Sequence, residues 1–248
     1  MTTDEFSERP IPSVLLVHGI RSSRTMWRGQ VEYLESLGAS VIAIDLPGHG
    51  QLMDQEFTLE ECVRVLDEAF ARLPDGPKVA VGLSLGSYMV LHWAARTATG
   101  PDAVLAASGA VQPRGVGLGA YRAAAGVIGL LPDRGQGLND VMAKLFLTEQ
   151  AVQDTAAGGV ALDVMGPALN AIGQVDPIAD LGRIAVPVWL VNGAWDHFRI
   201  EQRLFWRSVN RGRLIVVPKA GHLVSLEAPA TFNAVLTVLL DRVADGVA

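Results

Sequence analysis

The stretch KVAVGLSLG, residues 78–86, decides the fold because it joins a strand to a helix through one tight turn. KVAVG is apolar and β-branched and predicts a buried strand, and helical periodicity begins at Ser84. A turn that presents Ser84 at the strand end strains its backbone, so only small residues such as Gly82 and Gly86 fit two positions away. This context predicts a nucleophilic serine in a strand–turn–helix, rather than a serine that merely caps a helix.

Five more short apolar runs predict strands on either side of this turn. They are Ser13–Val17, Ser40–Ile44, Ala103–Ala107, Val186–Val191 and Arg213–Val217. Both faces of each run are apolar, as in a parallel sheet covered by helices. Helical patterns lie between them at about 28–37, 58–73, 84–97, 200–209 and 231–243, and Thr58 with Glu61 forms a capping-box signature. We therefore predict an α/β fold with a doubly wound, mostly parallel sheet of about six strands.

The segment from residue 111 to residue 181 interrupts this alternation. It contains no convincing strand but has helical patterns at about 121–131, 139–147, 149–157 and 161–172. We interpret residues 111–181 as a helical cap, or lid, inserted after the strand near 103–108. Residues 1–110 and 182–248 would then form the core domain.

A serine nucleophile needs a base, and the base needs a carboxylate that fixes its tautomer. His222 follows the last predicted strand, and Asp196 follows the strand that ends near Val191. Both therefore lie at the carboxyl edge of the sheet with Ser84, where open α/β sheets bind ligands. We predict Ser84, Asp196 and His222 as the catalytic residues, with an N-cap or turn role as the alternative for Asp196.

The oxyanion that forms during acyl transfer needs backbone donors. The N–H of Leu85 directly follows the nucleophile, and the N–H of Ile20 lies in the loop after the first strand. We predict these two amides as the oxyanion hole.

Composition excludes several classes of protein. The chain has 248 residues, a formal net charge of −6 and 50% hydrophobic residues, which disfavours nucleic-acid binding and disorder. The one cysteine, Cys62, cannot form an internal disulfide and lies on the apolar face of a predicted helix. The first ten residues are polar, and no uncharged apolar run reaches 18 residues, so we expect no leader and no membrane span. The expected location is the cytoplasm, and the sequence leaves the oligomeric state open.

Sequence motifs for cofactors and metals are weak or missing. The run 115–120 superficially fits a dinucleotide fingerprint but does not directly follow a strand, so we interpret it as a flexible lead-in to the cap. No Gly-x-x-x-x-Gly-Lys-Ser/Thr or His-Glu-x-x-His motif and no cysteine cluster occurs. We expect neither a cofactor nor a metal.

Over nearly its whole length the chain resembles the α/β-hydrolase fold superfamily. The resemblance is carried by His18-Gly19 with Trp27, by DLPGHG at residues 45–50, by GLSLG, and by GAWD and AGH in that order. It implies the roles given above for Ser84, Asp196, His222, Ile20 and Leu85. It also implies that His49 is structural and that the insertion covers the site. Because only about a dozen residues precede the first predicted strand, we expect the two antiparallel strands that often begin this fold to be mostly missing.

The sequence thus favours a serine esterase that acts on a small-molecule ester with an apolar or uncharged acyl group. The apolar cap residues suggest this substrate: Val141, Met142, Leu145, Phe146, Val164, Met165 and Leu169. The same triad serves lactonases, thioesterases, carbon–carbon bond hydrolases and cofactor-free perhydrolases. A receptor that keeps the fold without catalysis is a further alternative.

Overall fold

A computed structural model describes residues 10–247, with the side chains of residues 116, 138, 139 and 142 left out. The first nine residues, on which the expectation of no leader rests, and the Met142 side chain lie outside the described set. Six strands form one sheet: β1 Ser13–Val17, β2 Val41–Ile44, β3 Lys78–Leu83, β4 Ala103–Ala107, β5 Val188–Gly193 and β6 Gly212–Val217. Their order is β2-β1-β3-β4-β5-β6 and every pairing is parallel. The predicted fold class is confirmed.

The helices of the described residues follow the predicted alternation. They are α1 Arg28–Ser36, α2 Leu59–Ala71, α3 Leu85–Ala94, α4 Gly115–Gly129, α5 Gln136–Phe146, α6 Glu149–Ala156, α7 Met165–Ile172, α8 Pro177–Arg183, α9 Gln202–Ser208, α10 Val224–Glu227 and α11 Pro229–Ala244. Short 3₁₀ turns occupy Arg24–Trp27, Gly50–Leu52 and His197–Arg199. Thr58 caps α2 as predicted, since its Oγ accepts the Glu61 N–H at 3.1 Å. The Glu61 carboxylate pairs with Arg64 instead of completing the capping box.

Each strand sends alternate side chains to two separate cores. Leu15 and Val17 of β1 face a core that includes α2, α3, α8 and α9, where Cys62 is fully buried as expected. Val14 and Leu16 face a second core that includes α1 and α11. The sheet is therefore covered on both sides, as its apolar strands require.

The chain reverses its direction of travel across the sheet between β1 and β3. From β1 it moves outward to β2, then returns to place β3 on the other side of β1. The carboxyl ends of β1 and β3 border the crevice that such a reversal opens, and ligands bind in crevices of this kind. The loop that holds Ile20 follows β1, and Ser84 follows β3.

The helices between β4 and β5 fall into two groups. The docked helices, α6, α7 and α8, bury residues against the core and make polar contacts with it, such as Arg28 Nη1 to Asp154 Oδ1 at 3.3 Å. The outer helices, α4 and α5, have no buried side chain among those described. Large apolar residues of α4 and α5 are exposed instead, including Val127, Val141, Leu145 and Phe146.

Several predicted boundaries in this region are wrong. The run 115–120 is not a flexible lead-in but the start of α4, which the Arg122 guanidinium ties to α7 through the Leu169 carbonyl at 2.9 Å. The helix predicted at 161–172 begins only at Met165. The helix α8 was not predicted, although Asp176 followed by Pro177 is an N-terminal signal, and the Asp176 carboxylate does accept two backbone N–H groups there. Among the described residues, no helix has the length and apolarity that crossing a membrane requires.

Candidate active site

Ser84 occupies the strained turn that the sequence predicts. Its backbone angles are φ 53° and ψ −114°, and it stands between the end of β3 and the first residue of α3. A Cβ added to Gly82 would lie 2.2 Å from the Gly86 carbonyl oxygen, and one added to Gly86 would lie 2.2 Å from that of Val17. The two glycines are therefore required by close backbone approach, which is the steric reason for the motif.

The structure brings Ser84, His222 and Asp196 together. His222 Nε2 lies 3.0 Å from Ser84 Oγ, and His222 Nδ1 lies 3.0 Å from Asp196 Oδ1. Because an ionised carboxylate only accepts hydrogen bonds, Nδ1–H donates to Asp196, and Nε2 is left to accept from the Ser84 hydroxyl. These are the contacts that a hydroxyl, a base and an orienting acid make in nucleophilic catalysis.

Asp196 makes the contacts that both of the roles left open by the sequence would require. Its Oδ1 accepts from His222 and also from the Phe198 N–H at 2.8 Å, so it caps the short turn His197–Arg199 as well. Burial raises the pKa of the Asp196 carboxyl, but the hydrogen bond and charge of His222 and the Phe198 N–H outweigh burial and lower it overall. Asp196 therefore stays ionised at neutral pH and stabilises a positive charge on His222.

A cavity of about 80 Å³ lies in front of Ser84. Among the residues that the structure describes, its lining is largely apolar and includes no charged side chain: Ile20, Ser84, Leu85, Tyr88, Val111, Gln112, Pro113, Gly117, Leu118, Tyr121, Leu169, Ile172 and Phe198. Leu118 and Tyr121 come from α4 and Leu169 and Ile172 from α7, so helices between β4 and β5 form part of the cavity wall. Phe198 packs against Tyr121 and also against the His222 ring, at centroid distances of 5.7 and 4.9 Å.

The two predicted oxyanion donors border this cavity. Ile20 and Leu85 both line it together with Ser84. Leu85 is the first residue of α3, where a backbone N–H has no acceptor within the helix. Ile20 follows Gly19, which lies against the turn that carries Ser84. A Cβ added to Gly19 would lie 3.5 Å from Ser84 Cβ. The geometry places both residues beside Ser84.

A model of the alpha/beta hydrolase family matches residues 14–235, which is most of the chain. The chain belongs to the alpha/beta hydrolase family.

A curated relative of this hydrolase is the putative 2-succinyl-6-hydroxy-2,4-cyclohexadiene-1-carboxylate synthase of Haemophilus influenzae, 32% identical over 84 residues. That match spans only 33% of either chain. Among solved structures, MenH from S. aureus has a TM-score of 0.77 at 19% identity and covers 94% of both chains. A structure from work on carboxylesterases of Nitrososphaera gargenis has a TM-score of 0.79 at 17% identity, covering 97% of this chain and 93% of the other. At such identities these two structures establish the fold alone.

Two buried histidines of the hydrolase hold the loop that carries Ile20. His18 Nε2 accepts the Leu46 N–H at 2.9 Å, so its Nδ1–H donates to the Gly19 carbonyl at 2.8 Å. Burial and the neighbouring His49 lower the pKa of His18 to about 3. His18 is therefore neutral, and this tautomer fixes the Gly19 peptide directly before Ile20.

His49 holds the same loop from its other side. Its Nδ1–H donates to the Pro47 carbonyl at 2.9 Å, and its Nε2 accepts the Arg21 N–H at 3.2 Å. Burial lowers the pKa of His49, which keeps the ring neutral. The structural role that the family resemblance implied for His49 agrees with these contacts. The contribution of His18 was missed, because nothing in the sequence indicates which backbone groups a histidine will reach.

Proposed function

We propose that this alpha/beta hydrolase is a serine esterase that cleaves small carboxylic esters with apolar acyl groups through an acyl-enzyme on Ser84. The observation that carries the proposal is the continuous contact from Ser84 Oγ through His222 to Asp196, with both joining distances at 3.0 Å. A hydroxyl is a weak nucleophile until a base removes its proton, and here a base is within hydrogen-bond distance.

The reaction proceeds in two halves. Ser84 Oγ attacks the acyl carbon while His222 Nε2 takes the hydroxyl proton, and Asp196 stabilises the imidazolium. The negative charge on the carbonyl oxygen forms against the Ile20 and Leu85 amides, each donor contributing roughly 3 kcal/mol to the barrier reduction. His222 then protonates the leaving alcohol, and it activates a water molecule that releases the acid from Ser84.

The cavity suggests the size and polarity of the acyl group. A cavity of roughly 150 Å³ holds a benzene ring, so about 80 Å³ suits an acyl chain of a few carbons. The described part of the lining has no cationic side chain to pair with a carboxylate. This favours an uncharged ester over an anionic substrate such as the carboxylate named for the Haemophilus relative.

We further propose that residues 111–181 form the cap and that residues 1–110 and 182–248 form the catalytic core, working without a cofactor or metal. Cap residues of α4 and α7 would set acyl preference, because they line the cavity beside Ser84. A cytoplasmic location fits the single, buried Cys62. The partner of the protein is then its small-molecule substrate.

The test is hydrolysis of p-nitrophenyl acetate and butyrate by the wild type and by Ser84→Ala. We expect kcat/KM to fall about 10⁴-fold or more in Ser84→Ala, with the circular dichroism spectrum unchanged. Survival of the activity in the folded variant would assign the nucleophile elsewhere.

The same pair of proteins separates the alternative functions. Parallel assays with lactones, thioesters and carbon–carbon substrates would reveal a different bond preference, because the triad alone does not choose the bond. A fluorophosphonate should add one label to the wild type, at Ser84, and none to Ser84→Ala. Absence of any label, measured by intact mass, would favour the receptor hypothesis.

A further inference from the structure

Glu227 holds the main chain on both sides of His222. Its Oε2 accepts the Gly221 N–H at 2.7 Å, and its Oε1 accepts the Leu223 N–H at 2.9 Å. Each carboxylate oxygen thus binds one of the two amides that flank the histidine. Glu227 itself makes no contact with the imidazole among the hydrogen bonds of the described residues.

The local sequence is built to allow this contact. A Cβ at position 221 would lie 2.9 Å from Oε2 and 3.1 Å from Oε1 of Glu227, so a glycine lets the carboxylate approach the backbone. Glu227 ends α10, and the Leu226 and Glu227 N–H groups both donate to the Leu223 carbonyl at 2.8 Å. This short turn places the Glu227 carboxylate beside the backbone of residues 221–223.

The opposite side of the His222 loop is held by the loop that carries the acid. The Trp195 N–H donates to the Ala220 carbonyl at 2.9 Å. A Cβ on Gly193 would lie 2.1 Å from the Gly221 carbonyl oxygen, so the two loops are in close backbone contact. The His222 backbone is therefore confined between the Asp196 loop on one side and the Glu227 carboxylate on the other.

Such confinement matters because the imidazole must meet two partners at once. Nε2 lies 3.0 Å from Ser84 Oγ while Nδ1 lies 3.0 Å from Asp196, and the loop provides the only covalent support of the ring. A displacement of about 1 Å in a reacting group can lower a rate by about 10²-fold. Charge-assisted N–H to carboxylate bonds are stronger than neutral ones, so a carboxylate suits this task better than an amide.

We propose that Glu227 is a positioning residue for His222 in the ester hydrolysis proposed above, on which this inference rests. It acts through the Gly221 and Leu223 amides and transfers no proton. Glutamate is required because both oxygens accept, whereas a glutamine would turn an NH₂ group towards one of two N–H donors.

The experiment compares Glu227→Gln with a matched carboxylate-to-amide control, Asp176→Asn. The Asp176 Oδ1 also accepts two backbone N–H groups, those of Ile178 and Ala179, but it does so at the start of α8. We expect kcat of Glu227→Gln on p-nitrophenyl acetate to fall 10- to 100-fold per folded molecule, with KM within about threefold of the wild type. Asp176→Asn should keep the wild-type kcat.

Two further measurements separate positioning from stability alone. The rate at which a fluorophosphonate labels Ser84 should fall by a factor similar to that of kcat. The downfield proton signal of His222 Nδ1–H should shift or broaden in Glu227→Gln but not in Asp176→Asn. If Glu227→Gln fails to fold, Gly221→Ala serves instead, because its methyl group displaces the same carboxylate.

The outcomes are distinct for the two proposals. A Glu227→Gln protein whose kcat and labelling rate per folded molecule stay within twofold of the wild type overturns the positioning role and leaves the esterase intact. If the apparent kcat falls only in proportion to the fraction of protein that is no longer folded, the positioning role is likewise overturned. A wild type that a fluorophosphonate does not label overturns the proposed function itself.

Discussion

The catalytic rim and the outer helices of this hydrolase are built in opposite ways. The catalytic rim consists of the loops after β1, β3, β5 and β6, at residues 18–23, 84–86, 194–199 and 218–223. Backbones approach closely here, because an added Cβ would lie 2.1–2.2 Å from a backbone oxygen at Gly86 and at Gly82 and Gly193, which stand at or near the ends of the strands that lead into the rim. In α4, by contrast, a Cβ added to Gly117, Gly119 or Gly126 meets nothing within 4 Å.

The two regions differ in how closely their backbones are packed, and this difference corresponds to what each region contributes to the site. Groups that must meet within a fraction of an ångström are held by many independent contacts, and a strained residue such as Ser84 persists only in such surroundings. The outer helices contribute Leu118 and Tyr121 to the cavity from a loosely packed support. We infer that the rim determines whether the reaction occurs and that the outer helices influence which acyl group is accepted.

The largest expected effect comes from removing the charge of the rim acid. Asp196→Asn keeps the size of the side chain but no longer fixes the His222 tautomer or stabilises the imidazolium. We expect kcat/KM for p-nitrophenyl acetate to fall about 10⁴-fold, with little change in melting temperature. Leu145→Ala, on the exposed face of α5, is the matched comparison and should stay within twofold of the wild type. A harmless Asp196→Asn would place the acid elsewhere.

The buried rim histidine His18 should make stability depend on pH. Its pKa is about 3 in the folded protein and 6.5 as a free side chain, so below pH 6.5 the unfolded chain binds a proton that the folded chain refuses. Stability is therefore lost on acidification, by up to about 1.4 kcal/mol per pH unit between pH 6 and 4. Urea unfolding at successive pH values measures this slope.

His18→Gln provides the comparison for that slope. Glutamine reaches the Nε2 position and keeps an acceptor for the Leu46 N–H, but it does not titrate. We expect a lower stability at pH 7 and a shallower dependence on pH than in the wild type. Equal slopes in the two proteins would contradict a neutral, buried His18.

Replacing glycine by alanine should change the free energy of unfolding in opposite directions in the two regions. Gly86→Ala places a methyl group 2.2 Å from the Val17 carbonyl oxygen and should lower the free energy of unfolding by about 3 kcal/mol. Gly126→Ala fills open space within a helix and should raise it by about 1 kcal/mol, because alanine has the higher helix propensity. Denaturant titration of both variants measures the two changes in the free energy of unfolding. A destabilised Gly126→Ala would mean that other atoms pack closely around position 126 of α4.

The last expected effect concerns acyl preference. Leu118→Ala enlarges the cavity without touching the triad, so hydrolysis of p-nitrophenyl hexanoate relative to the acetate should rise about tenfold. The same ratio in Leu145→Ala should not change, since Leu145 does not line the cavity. An unchanged ratio in Leu118→Ala would remove α4 from the determination of specificity.

The arrangement of the rim could be predicted because each of its parts leaves a local signal in the sequence. The strained Ser84 requires Gly82 and Gly86 at fixed spacing, and strand ends place His222 and Asp196 at the same edge of the sheet. The outer helices were predicted less well, because α4 has five glycines and its helical state depends on contacts with α7. The predicted apolar cap residues Val141, Leu145 and Phe146 are exposed and do not line the cavity.

Other features depend on which backbone groups meet after folding. No periodicity or spacing in the sequence indicates that His18 binds the Leu46 N–H or that His49 binds the Arg21 N–H. The same holds for the hydrogen bonds of Glu227 to the amides on both sides of His222. Asp196 is the clearest example. The sequence indicated two candidate roles, a contact with His222 and the capping of a turn, but it could not indicate that one carboxylate oxygen makes the contacts of both. The cavity size likewise results from side chains of five separate segments.

The strand order has a consequence for the protein during its synthesis. After β3, each strand pairs with the one that precedes it in sequence, so the sheet can be extended at one edge in the order in which the chain is made. The serine turn can form early, but its partner imidazole arrives 138 residues later, with the edge strand β6. We therefore expect a nascent chain in which β6 and the loop after it are not yet made to lack the proposed base beside Ser84.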